Sequence, residues 1–519
     1  PSATNPPLLS CGQTVTNGVN GVSWGTSATA NLYIQTLTNG ISTLRYSFIG
    51  TGSASGIVCR ATMKMTAWSF ALVPDYDRDR LIEWQDQTQA STNRVFRWWI
   101  NDDDDNGTDV AEGANDVPGQ GYGLSTTSND TQYPDNDTVD GRCDLLDFFP
   151  LWLNVGELLS AFPADGTYTL RLSQANNALR AVYTDLSTTN AGAYLVSTVP
   201  NCGPNLSQVS YEAETFLIDD DGVELEQGFV NRIVADPHKG ILMVESCAET
   251  QNPLVLGVFR NGVNIATVEL PLQLSGVENM YRWINLRPDA STYYPSRTNE
   301  PLNRLDSDCL NKTVFLAHGF LVPRDQARGW ASECFKRLYQ CGMNAKFCGV
   351  SWNSDEGTSA DYYLNVQNAR STAAQLAPIV NALPGEKVWM AHSLGNMLSG
   401  YAIADYGMNV EKYFALNAAV ASEAYDVTTV DESETSANWM RNSSWAGYSN
   451  RTWSATWNKL FSPGDARAKL TWRNRFTNVL ERTQMFNFWS SGDEVLEIAS
   501  GNTPYVSEIL LGTLDLFNI

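Results

Sequence analysis

Two stretches of the chain carry side chains whose types and spacing could do chemistry. The first reads Val388-Trp389-Met390-Ala391-His392-Ser393-Leu394-Gly395-Asn396-Met397-Leu398-Ser399-Gly400, an apolar run passing into a helix-compatible segment with one serine at the junction. Ala391 and Gly395 are the small residues that a tight strand-to-helix turn demands two before and two after its serine, and such a turn presents a lone hydroxyl for attack on a carbonyl. The second stretch is Asp75-Tyr76-Asp77-Arg78-Asp79-Arg80-Leu81-Ile82-Glu83-Trp84-Gln85-Asp86. Asp75, Asp77, Asp79, Glu83 and Asp86 occupy positions 1, 3, 5, 9 and 12 of this twelve-residue window, with Ile82 at position 8. Alternate oxygens of a tight loop point inward, and a calcium ion takes about six to eight of them.

Upstream of the serine, Thr313-Val314-Phe315-Leu316-Ala317-His318-Gly319-Phe320 is an apolar run ending in His-Gly. With this segment and the Ala-His-Ser-Leu-Gly turn, residues 314–498 resemble the α/β-hydrolase family, in its lipase and esterase branch. The resemblance implies that Ser393 is the nucleophile and that the backbone N–H groups of Leu394 and Phe320 hold the oxyanion. It also makes His318 and His392 motif histidines and not the general base. The family's chain order of serine, acid, histidine points to Asp493, in the loop after an apolar strand, with Glu423 and Asp426 as alternatives. The chain holds three histidines, His238, His318 and His392, and none follows Ser393. Three readings stay open: a histidine carried by a further C-terminal part of the native chain, a non-catalytic descendant of the fold, or His238 reaching in against the usual chain order. Without an imidazole to accept its proton, a serine hydroxyl is a poor nucleophile near neutral pH.

The Asp75 window resembles the calcium loops of dockerin-like repeats. It departs from them at position 6, where Arg80 replaces glycine, and at position 12, where Asp86 replaces glutamate. Residues 101–150 hold thirteen acidic side chains against one basic, Arg142. Within them Asp102 and Asp104, then Asp135, Asp137 and Asp140, then Asp144 are further candidate calcium ligands, because packed carboxylates repel unless a cation neutralises them.

The net charge of −23 is carried almost entirely by residues 1–311, with 37 acidic against 17 basic side chains; the remainder has 20 against 17. Such a surface argues against nucleic acid or anionic lipid as partner. No apolar run reaches the roughly twenty residues of a membrane span. Nine scattered cysteines with no C-x-x-C pair argue against zinc, and in an exported chain they imply a few disulfides. An extracellular or cell-surface location is the expectation.

The elements that must position these groups follow from periodicity. Alternation in Ser42-Thr43-Leu44-Arg45-Tyr46-Ser47-Phe48 and in residues 167–199 marks strands. The reading is multidomain: all-β N-terminal domains followed by a doubly wound α/β domain. Its parts are residues 1–205 with acidic loops, a β-sandwich-like domain over 206–290, a linker over 291–311, and an α/β domain over 312–519. The last is expected to hold strands at 314–317, 346–350, 412–416 and 484–489, helices over 324–341 and 362–383, and a tryptophan-rich insertion at about 427–482. Two functions fit: an exported serine hydrolase acting on an ester or lipid, or a non-catalytic subunit of a cell-surface layer or filament, self-assembling on a retained hydrolase fold.

Overall fold

The computed structural model of the protein describes residues 9–10, 33–34, 40–49 and 58–67 as strands. Beyond these it describes residues 70–100, 145–162, 166–193, 216–358, 362–426, 462–465, 471–472 and 474–489. Asp493, the six candidate ligands between Asp102 and Asp144, and most of the tryptophan-rich insertion lie outside the described residues. The chain forms two compact units, one of Pro1–Asn101 with Gly123–Leu274 and one of Asp102–Tyr122 with Ser275–Ile519.

The first unit is antiparallel β. A hairpin pairs Gly40–Ile49 with Val58–Ala67 along its full length. A five-stranded sheet runs in the order Phe216–Ile218, Leu179–Tyr183, Ile241–Ser246, Phe149–Asn154, Ala71–Pro74. A four-stranded sheet runs Val223–Glu224, Tyr168–Gln174, Leu254–Arg260, Val263–Leu270. The last two of these strands are joined by Asn261-Gly262, with Asn261 at φ 50° and Gly262 at φ 78°, the left-handed pair such a two-residue turn requires. Strands from both sides of residue 205 pair within each sheet, so 206–290 does not fold as a separate sandwich. Sheet pairing is non-local and crosses that boundary.

The second unit is built on a six-stranded parallel sheet in the order Arg282–Asn285, Ala345–Ser351, Leu310–Ala317, Glu386–His392, Lys412–Leu416, Gln484–Phe488. The helices Arg324–Gln340, Tyr362–Ala382 and Gly395–Ala404 join these strands. Strand Arg282–Asn285 belongs to this sheet, and the stretch expected as a linker is fastened to it. Trp283 and Arg297 exchange backbone hydrogen bonds, and Arg282 forks onto Asp306 at 2.7 and 2.8 Å. Buried strands with near-continuous apolar runs are what a sheet covered on both faces requires. Right-handed crossovers put Arg324–Gln340 on one face and the other two helices on the opposite face. There Val366, Ala369, Ala373, Leu398 and Tyr401 share one core with Phe315 and Trp389. Cys309, Cys334 and Cys348 are free thiols. Among the described residues no helix is long and apolar enough to cross a membrane.

Candidate functional site

From Leu310–Ala317 the chain moves outward to Ala345–Ser351, then crosses back to Glu386–His392 on the other side and continues away from it. The order therefore reverses between Leu310–Ala317 and Glu386–His392, and in open α/β sheets ligands bind where the carboxyl ends of two such strands part. The residues at those two ends are His318-Gly319-Phe320 and Ser393.

Ser393 has φ 48°, a left-handed conformation that costs a non-glycine residue about 1–3 kcal/mol and persists only when its surroundings impose it. Several bonds do so. Its N–H donates to the Leu416 carbonyl at 3.0 Å, and its carbonyl accepts from the Asn396 and Ala419 N–H groups at 3.0 and 3.2 Å. The Asn396 side-chain amide adds bonds to the Ser393 and Ala391 carbonyls, both at 3.0 Å, and its oxygen accepts from the Tyr413 hydroxyl at 2.7 Å. Asn396 is fully buried. A side chain on Gly395 would lie 2.6 Å from the His318 carbonyl oxygen and 2.8 Å from that of Ala317, so the helix following the serine meets the neighbouring strand backbone directly. Leu394 caps that ten-residue helix, whose dipole directs positive potential at the turn.

The facing loop is also fixed. A side chain on Gly319 would come within 2.9 Å of Ser393 Cβ, so the two strand ends are in contact. Leu321 has φ 52°, and its N–H donates to the Ser354 carbonyl at 2.9 Å. Arg287 donates to the Val322 carbonyl at 2.5 Å, to Ser351 Oγ at 2.8 Å and to Asp355 at 2.6 Å. His318 is buried, and its Nε2 accepts the Trp352 backbone N–H at 3.2 Å. The proton therefore sits on Nδ1, which lies 3.1 Å from the Gly319 carbonyl. Burial first, then the Arg287 charge, hold its imidazole down to about 3. A neutral histidine with both nitrogens engaged positions the loop and is not the base. The half-buried His392 ring packs on Trp330 at 4.9 Å.

His238 belongs to the first unit, where Nδ1 meets the Thr188 hydroxyl at 3.0 Å. Asp426 is exposed just after the one-turn helix Ser422–Ala424, in which Glu423 lies. Asn396 and Arg287 were not singled out in the sequence; the one signal was a polar side chain inside the apolar helix that follows the serine.

The acidic window of the first unit folds as a loop leading into the helix Trp84–Ser91. Carboxylate oxygens of Asp75, Asp77 and Asp86 lie within 4.8 Å of one another, and Asp75 and Asp86 are buried. Asp79 and Glu83 are not part of that group. Asp79 accepts the Leu81 N–H at 2.9 Å, and Glu83 caps the helix in a reciprocal box with Asp86. Arg80, in the place of the usual glycine, has φ 78° and keeps the glycine-type conformation. Asp75 accepts the Arg78 and Arg80 N–H groups at 2.6 and 3.0 Å, and Asp86 accepts those of Tyr76 and Glu83 at 2.8 and 3.0 Å. Ile82 inserts into the core beside Trp152 and Ile241, and its N–H bonds Thr188 at 2.8 Å. Burial, with Asp86 beside it, pushes the Asp75 carboxyl up to about 8, and burial raises Asp86 as well. Two buried carboxyls in this condition call for a proton or a cation.

Compared with known protein families the chain matches none of their models, and no curated protein matches it.

Proposed function

We propose that the chain is an exported serine hydrolase of the esterase or lipase type, with Ser393 as nucleophile and the Leu394 and Phe320 amides as the oxyanion site. The observation that carries this reading is Ser393 at φ 48° where the strand order reverses, pressed against Gly319. A strained serine braced from four sides has no structural task that alanine or glycine would not perform, whereas acyl transfer needs the hydroxyl held in that place. In that reaction Ser393 Oγ bonds to the acyl carbon, the alcohol departs, and water releases the acid. Asp493 is the proposed orienting acid.

The acidic, β-rich first unit favours a second reading, a non-catalytic subunit of a cell-surface layer or filament. Labelling with a fluorophosphonate probe separates the two. A probe adduct on Ser393, lost in Ser393→Ala, supports the hydrolase; a native chain that stays unlabelled while folded excludes it.

In the first unit, Asp75, Asp77 and Asp86 are proposed to hold calcium. Their oxygens suit a hard cation, and the buried pair gains a counter-charge from it. Isothermal titration with calcium against magnesium tests the assignment, since a rigid all-oxygen loop prefers the larger ion.

A further inference from the structure

The parallel sheet of the second unit is covered unequally on its two faces. On one face Trp389 and Tyr413 are fully buried in a core with Val366, Leu398 and Val479, from the helices Tyr362–Ala382, Gly395–Ala404 and Thr477–Arg482. On the other face the strand register sets out two rows. Leu316, Met390, Phe414 and Phe486 lie side by side across four strands, and His392, Leu416 and Phe488 across the last three. Leu316 is buried; its neighbour Gly349 abuts the helix Arg324–Gln340, where an added side chain would lie 2.8 Å from Ala331 Cβ. Away from that helix the cover fades. Met390, Phe414, Leu416 and Phe486 are half-buried, and Phe488 is 54% exposed. Phe414 stacks on Phe486 at 4.9 Å and on Phe488 at 6.0 Å, so these rings form one apolar platform. Trp330, which packs on His392 from the helix side, is itself 43% exposed.

A helix is about 10 Å wide and strands lie about 4.8 Å apart, so Arg324–Gln340 spans about two strands and leaves the last three short of cover. Parallel strands call for cover on both faces, and a contiguous exposed apolar face marks a docking place. The chain itself supplies a fitting segment. Phe488 and Trp489 close the last strand beside the platform, and residues 490–519, outside the described ones, follow directly. Among them Val506, Ile509, Leu510, Leu514 and Phe517 recur at helical spacing, with Glu508 and Asp515 on the opposite side. A helix over 504–517 is about 21 Å long, close to the roughly 23 Å of Glu386–His392. The tryptophan-rich insertion fits less well. It departs after Tyr425 and returns at Trp472, and both of these are buried in the core of the opposite face.

We propose that residues 504–517 form an amphipathic helix that seats on the platform of Phe414, Phe486 and Phe488, beside Arg324–Gln340. The seat does not depend on Ser393 being a nucleophile.

Photo-cross-linking of the full chain tests it. A benzophenone side chain replaces Phe486 in one variant and Phe488 in another, and mass spectrometry finds the joined peptides. Both positions are expected to join to residues 504–517 of the same molecule, with a yield independent of protein concentration. Hydrogen exchange measures the strength of the seat. Leu510→Asp, within the apolar stripe, should speed exchange of amides 505–514 about tenfold or more, the worth of one buried leucine. Leu511→Asp, outside the stripe, should change it about twofold or less. Cross-linking needs neither aspartate variant, so it reads the seat even if Leu510→Asp fails to fold. The proposal is overturned by cross-links to the insertion or to a second copy of the chain in place of 504–517, by no cross-link from either position, or by equal exchange in the two aspartate variants.

Discussion

The Ser393 turn and the Asp75 loop both hold non-glycine residues in left-handed backbone, and they differ in what holds them there. Around Asp75 the bonds are short-range: Arg78, Arg80, Glu83 and Asp86 lie within twelve residues of one another, and Ile82 ties the loop to its sheet. Around Ser393 the bonds come from Leu416, Ala419 and Asn396, and the contacts from Gly319, on three strand ends that only the sheet brings together. A contiguous loop can change residue by residue and keep its shape. A turn built at a strand reversal depends on backbone packing elsewhere, so its weakest points are glycines and buried amides.

The largest effect expected from this difference is at Gly395. A branched side chain there meets the His318 and Ala317 carbonyls, backbone atoms that cannot move aside, so Gly395→Val should cost on the order of 3 kcal/mol or more and abolish probe labelling. Chemical denaturation measures the first and mass spectrometry the second; a stable, labelled variant would remove the basis for the packed turn. Next is Asn396→Leu, which keeps the volume but removes the bonds that the buried amide makes to the Tyr413 hydroxyl and to the Ser393 and Ala391 carbonyls. A loss of about 2–4 kcal/mol is expected, with slower labelling although the serine remains.

On the other side of the comparison, a hundredfold excess of calcium over its dissociation constant should stabilise the first unit by about 2.7 kcal/mol, and Asp86→Asn should erase that gain. Calcium-dependent protection of the Trp84–Ser91 amides from hydrogen exchange reads this locally. No change on adding calcium would leave the acidic loop a solvated turn.

A further effect separates the regions by the sign of their pH dependence. Asp75, raised to about 8 in the folded chain, binds a proton there that the unfolded chain has lost above about 4. In chelator the first unit therefore loses stability as pH rises between those values, and calcium cancels the slope. His318, lowered to about 3, stays neutral when the unfolded chain protonates below about 6.5. The second unit therefore loses about 2 kcal/mol as pH falls from 6.5 to 5. Hydrogen exchange followed across pH in Phe149–Asn154 and Glu386–His392 should show these opposite trends; parallel trends would mean that neither group sets the slope.

The sequence by itself determined the local elements of the second unit. Strand 412–416 lies where the apolar pattern placed it, and the helices expected over 324–341 and 362–383 run Arg324–Gln340 and Tyr362–Ala382, because chain periodicity and side-chain burial are set within one element. It also showed Ser393 and the spacing of Asp75, Asp77 and Asp86, since both depend on near neighbours. Only the tertiary structure decided that strands on either side of residue 205 share their sheets and that Arg282–Asn285 joins the parallel one. It alone showed that Asn396 and Arg287 brace the turn. Those outcomes come from hydrogen bonds and charges meeting across tens to hundreds of residues, for which no local pattern carries a signal.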